Sequence, residues 1–195
     1  MSDATSFSLL DRLRQDANET AWLRMVEIYT PLIQGWLRRY SLPDQDVDDV
    51  VQEVLAVVVR RLPDFQKKPR VGAFRRWLRS ITVNCLRELW RDERYRPRAI
   101  GNAEFAGVLD LLEDPESALS KIWDKEHDLY VTRHLLDRIR PRFEDKTWQA
   151  FQRVALEGLP VDEVAAELGM SVNAVFIAKS RVMHALRQVG QGLLD

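Results

Sequence analysis

The 195 residues carry 29 Lys/Arg against 30 Asp/Glu, a formal charge of −1, and 46% of them are hydrophobic. That length fits one large or two small domains, the apolar share suffices for a core, and 8 Gly with 8 Pro argue against a sheet-rich fold with many turns. Cys85 is the only cysteine, which excludes an internal disulfide and points to a reducing compartment. No apolar run reaches membrane-spanning length and the N-terminus lacks a basic stretch followed by a hydrophobic one, so a cytoplasmic location is expected. The near-zero charge hides strong segregation. Residues 44–59 hold five carboxylates and no cation, residues 60–98 hold 13 Lys/Arg against 4 Asp/Glu, and residues 99–130 hold 8 Asp/Glu against 2 Lys. Acidic, basic and acidic blocks suggest separate partners rather than one uniformly basic surface.

In chain order, residues 7–14 read as a short amphipathic helix with Leu9, Leu10 and Leu13 on its buried side. Residues 19–40 continue the helical period through Trp22, Leu23, Val26, Tyr29, Ile33, Trp36 and Leu37, with a kink or break expected near Thr30 because Pro31 follows. The next run, DQDVDDVVQEVLAVVVRRL, is rich enough in valine for a strand. The recurrence of Val47, Val50, Val51, Val54, Val58 and Leu62 decides for a helix. Asp46, Asp49, Gln52 and Glu53 then share its opposite face, near the end where carboxylates are favoured. With no Lys or Arg interspersed, that face reads as a docking surface for a basic partner, although a merely solvated face has the same composition.

A loop with Lys67, Lys68 and Arg70 leads to a helix over residues 73–94, where Phe74, Trp77, Leu78, Ile81, Val83 and Leu86 interleave with Arg75, Arg76, Arg79, Arg87 and Arg91. Aromatic rings among arginines can stack unpaired bases while the charges hold phosphates; equally, the rings can face the core and the arginines the solvent. Residues 96–114 lose periodicity and read as a linker whose acidic, leucine-bearing end suits a short helical turn or docking on a partner. Asp114-Pro115 looks like an N-cap and first-turn proline, opening a helix to about Arg140. Residues 146–157 read as a further helix with Trp148, Phe151, Val154 and Ala155 inward.

The last stretch, GLPVDEVAAELGMSVNAVFIAKSRVMHALR, predicts two helices around a tight turn. Val161, Val164, Ala165 and Leu168 keep helical spacing, Gly169 makes a left-handed stop, and Ser171 caps a second helix that buries Val175, Ala178, Val182, Leu186 and Val189. Small Ala165 at the crossing, glycine four residues on and Val175 six further make this a helix-turn-helix. No carboxylate occurs between Gly169 and Gly190, whereas Lys179, Arg181 and Arg187 do. Asn173, Phe176, Lys179 and Ser180 lie on the face away from the core, as in a recognition helix. His127, His134 and His184 with one cysteine give no zinc spacing. No phosphate loop, nucleophile elbow or HExxH motif is present, so neither a metal nor an enzyme is expected, nor any cofactor.

An acidic helix, an Arg/aromatic helix and a C-terminal helix-turn-helix, in that order, resemble the extracytoplasmic-function group of bacterial RNA polymerase sigma factors. The motifs are DVDDVVQEV at 46–54, FRRWLRSITVN at 74–84 and VAAELGMSVNAVFIAKSRV at 164–182. The resemblance implies an all-α fold of two small helical domains joined by a linker. A region 2-like domain would span 1–95, an acidic linker 96–114 and a region 4-like helix-turn-helix domain 115–195. It further implies binding of core RNA polymerase through Asp46, Asp49, Gln52 and Glu53. The melted −10 strand would be held by Phe74, Arg75, Trp77, Arg79 and Asn84, the last near a flipped base. Duplex −35 DNA would be read through Ser171, Asn173, Phe176, Lys179, Ser180 and Arg181. Promoter DNA and core polymerase are the implied partners, an anti-sigma factor the implied regulator, and no small-molecule substrate is implied. Two departures stand out: Val47-Asp48 replaces a small residue followed by Glu, keeping the charge, and Phe176 replaces a frequent Tyr, losing a phenolic hydrogen bond. The residues alone also fit a stand-alone helix-turn-helix regulator, which has no need of the acidic helix, or a sigma-like protein that only sequesters a partner.

Overall fold

The computed structural model describes residues 9–15, 19–40, 42–65, 72–91, 102–191 and 193–194. Among them the α-helices are α1 (Leu9–Gln15), α2 (Glu19–Leu37), α3 (Asp44–Arg61), α4 (Ala73–Arg91), α5 (Asn102–Glu113), α6 (Ala118–Ile139), α7 (Asp145–Phe151), α8 (Val161–Leu168) and α9 (Val172–Gly190). The fold is all-α, and no helix among the described residues is long and apolar enough to cross a membrane. Residues 9–131 group into one unit and residues 132–191 into another. The expected Phe7 start of α1 and the basic loop of Lys67, Lys68 and Arg70 lie outside the described residues, as do positions 96–101 of the expected linker.

In the unit of residues 9–131, α3 buries Val47, Val50, Val51, Val54 and Val58 on one stripe. The stripe decides against the strand propensity of valine, because burial of a continuous apolar face outweighs intrinsic preference. Asp44 and Asp46 occupy the first turn and Arg60 and Arg61 the last, each matching the helix dipole. α2 runs unbroken through Pro31, contrary to the expected interruption. Pro31 is exposed while Ile28, Tyr29 and Ile33 on either side are buried. Their shared apolar layer keeps the helix continuous against a cost of about 3 kcal/mol for an internal proline.

Where a linker was expected, α5 forms and packs on α4. Phe105, Leu109 and Leu112 are buried at helical spacing, and Phe105 stacks on Trp90 with ring centroids 3.7 Å apart. The expected cap at Asp114 is also displaced: its carboxylate accepts the Glu116 amide at 2.9 Å and closes a turn. Ser117 caps α6 instead, its hydroxyl accepting the Ser120 amide at 3.0 Å.

The unit of residues 132–191 has two apolar clusters. One joins Ala150, Val164, Ala165, Val175 and Ala178; the other joins Leu136, Ile139, Phe151 and Val182. The helix expected over 146–157 stops at Phe151 and continues as a π-turn over Gln152–Leu156, with the Glu157 amide bonded to the Gln152 carbonyl at 3.1 Å. Trp148 packs inward against the second cluster, its ring 5.4 Å from Phe151, and its half-open side lies beneath the Arg140 guanidinium at 5.3 Å.

Candidate nucleic-acid interface

Around the C-terminal turn, Gly169 adopts φ 59 and ψ 42 and hands its amide back to the end of α8, a left-handed stop. Ser171 caps α9, its hydroxyl accepting the Ala174 amide at 3.1 Å. Ala165 and Val175 meet in one cluster, fixing the crossing of α8 and α9. The core side of α9 is Val175, Ala178 and Val182, which turns Asn173, Phe176, Ser180 and Arg181 outward and leaves Lys179 half-buried. Phe176 is 53% exposed, and Val172 and Ile177 beside it are exposed as well. Sequence reading passed over those two because apolar residues on a helix default to the core. Carrying cations, amides and exposed apolar groups without a carboxylate, this face can meet phosphates and base edges together.

On α4 the five sequence-assigned residues divide. Asn84 is exposed and Trp77 half-buried, but Phe74 and Arg79 are buried, which corrects the expectation that they lie on an open surface. Phe74 is a core ring, edge-on to Tyr29 at 5.6 Å and beside Trp77 and Phe65. The Arg79 guanidinium donates to the Ser120 carbonyl at 3.1 Å and to the Asp124 carboxylate. Burial pulls the Arg79 pKa below its ordinary range, partly opposed by Asp124. Arg75 pairs with both Asp124 and Asp128. Burial pushes the Asp128 carboxyl up, yet the His127 hydrogen bond and the Arg75 charge more than reverse this, leaving it below the usual range. An ionised Asp128 only accepts, so His127 Nδ1 donates to it at 3.0 Å, while His127 Nε2 lies 3.3 Å from the Tyr29 hydroxyl. The exposed stripe of α4 is instead Arg76, Ser80, Asn84, Glu88 and Arg91, three or four residues apart. Of these, only Asn84 was singled out from sequence; the register of burial along α4 separates the rest.

On α3, Asp49, Gln52 and Glu53 are exposed together, with Asp46 partly covered beside them. Burial, then repulsion from Asp49, raises the Asp46 carboxyl. Glu53 pairs with Arg60 at 2.9 Å in an open, solvent-screened contact that contributes little. Gln34 donates to Asp48 at 2.8 Å, holding that carboxylate against α2. No group of three or more potential metal ligands occurs among the described residues.

The described residues thus hold an acidic face on α3, a helix α4 rich in arginine and a complete helix-turn-helix in α8 and α9. A family model described as Sigma-70 region 2 matches residues 25–96, the span of α3, α4 and most of α2. The chain is 29% identical over 161 residues to the RNA polymerase sigma factor CnrH of Cupriavidus metallidurans, covering 81% of this chain and 80% of that one. It is 29% identical over 157 residues to the ferric citrate uptake sigma factor FecI of Escherichia coli, covering 79% and 82%. A solved structure of CnrH in complex with the cytosolic domain of CnrY aligns at 24% identity over 91% of this chain and 92% of that one, with a TM-score of 0.38. Residues 25–96 are thus similar to region 2 of the sigma-70 family, and most of the chain is similar to RNA polymerase sigma factors, one of them named as of the extracytoplasmic-function group.

Proposed function

We propose that this chain is a sigma factor that docks on core RNA polymerase through the open face of α3, through Asp46, Asp49, Gln52 and Glu53, and directs initiation at promoters read in two places. Duplex DNA is read by α9 through Asn173, Phe176, Lys179, Ser180 and Arg181, with Ser171 holding the start of the helix. Melted DNA is held along α4, where Asn84 and Trp77 take the base side and Arg76 and Arg91 the phosphates. The observation that carries this reading is the coexistence in one chain of an uninterrupted acidic face on α3 and a carboxylate-free recognition face on α9. A stand-alone regulator needs only the second. The role is non-enzymatic and cytoplasmic, in the compartment that holds polymerase and DNA; residues 1–95, 96–114 and 115–195 serve as polymerase-and-strand-binding part, connection and duplex-reading part. An anti-sigma factor that covers the α3 face would silence it.

The test is capture of purified bacterial core polymerase by the chain, followed by run-off transcription on genomic fragments. Binding with new, discrete start sites is expected. Binding without transcripts would favour a sequestering role, and a folded chain that does not bind core would favour the stand-alone regulator.

A further inference from the structure

Three of the five arginines of α4, Arg75, Arg79 and Arg87, are answered by carboxylates of the same chain. Arg75 and Arg79 stand one turn apart on α4, and Asp124 and Asp128 stand one turn apart on α6. One turn is about 6 Å along either helix, so the two ladders match. Arg87, two turns further along α4, pairs with Asp110 at 2.8 Å and with Glu113 of α5; the Glu113 hydrogen bond raises its pKa first of all. Asp110, Glu113, Asp124 and Asp128 of the acidic block thus pair with Arg75, Arg79 and Arg87 of the basic one, all within the unit of residues 9–131.

The chemistry of these contacts is unlike that of a contact selected for stability alone. Arg79 is 3% exposed, and removing a guanidinium and a carboxylate from water costs so much that apolar residues of similar volume do as well or better. The Arg75 fork is also incompletely satisfied. Its Nε lies 3.4 Å from Asp124 in ion-pair range but outside hydrogen-bond geometry, and it has no other partner. A guanidinium held this way by two carboxylates offers the same donors to two phosphate oxygens. Trp123, edge-on to Trp36 at 4.3 Å, together with buried His127 and Val131 keeps the acidic segment seated.

We propose that residues 110–128 act as a built-in competitor for single-stranded DNA, occupying Arg75, Arg79 and Arg87, which would join Arg76 and Arg91 in holding phosphates, until a strand displaces them. This rests on the reading that α4 holds the melted strand. The free chain is then the closed form, and its apparent affinity for a strand is lowered by the fraction that is open.

The experiment measures binding of 5′-fluorescein-labelled dT12 by anisotropy to the full chain and to the Asp124→Asn/Asp128→Asn variant, with folding checked by circular dichroism. The variant is expected to bind on the order of tenfold more tightly, since hydrogen bonds to charged groups are at stake, and adding Arg75→Gln should remove the gain. Hydrogen exchange on the unmodified chain gives a second readout that needs no variant: saturation with dT12 should deprotect amides 118–131. Equal, measurable affinities, or unchanged protection at saturation, would overturn the competitor and leave α4 as a strand holder. No binding by either chain would overturn both.

Discussion

Gly169 has φ 59, where a residue with a Cβ is strained, yet a methyl group built there meets nothing within 4 Å. The penalty for Gly169→Ala is therefore backbone strain alone, about 1 kcal/mol. Denaturant unfolding should show that loss, with Asn at this position losing less; a loss several times larger would mean that the turn depends on close packing. Lys179 tests the other side of the turn. Lys179→Ala should weaken binding to duplex promoter DNA and lower the slope of log K against log salt by about one ion. An unchanged slope would place Lys179 away from the phosphates. Both residues were legible in sequence because the turn is local: small Ala165, left-handed Gly169, capping Ser171 and core Val175 lie within eleven positions and constrain one another. Arg79 was not legible in this way. Its partners Ser120 and Asp124 are 41 and 45 residues away, and nothing in FRRWLRS distinguishes the arginine that is buried from Arg76, which is not.

At the scale of the helix, α3 is a one-sided object, with valines inward and carboxylates outward. Reversing its charge by Asp49→Lys with Glu53→Lys should abolish capture of core polymerase while circular dichroism stays unchanged, because both side chains are exposed and only the weak Arg60 contact is lost. A helical, monomeric double variant that still binds core would refute the assignment. The valine period made α3 readable despite its strand propensity. The case of α5 was different: Phe105, Leu109 and Leu112 keep the period, but Ala106 and Gly107 between them dilute it. The helix is supported by α4 across its length, through the Trp90 stack and Arg87, which are tertiary contacts that no local window contains. The same holds for α2, where packing on both sides of Pro31 overrides a rule that is sound for an isolated helix.

For the molecule as a whole, the order of charge blocks was visible in the sequence, and so was the all-α architecture. Their pairing was not. Net charge near zero reads as weak affinity for nucleic acid, but here much of it reflects acids seated on bases, so the mean says little about the charge that either face presents when uncovered.

Cys85 is buried on α4, with Glu53, Arg60 and Arg61 of α3 among the charges near it, and its thiol is pushed up to about 11 by burial and then by Glu53 and Glu88. At neutral pH only about one molecule in ten thousand carries a thiolate there. Alkylating reagents and oxidants therefore find almost nothing to attack in the closed chain, and the slow rate at which the thiol is modified becomes a clock, intrinsic to the native sequence, for how often α4 comes away from its surroundings.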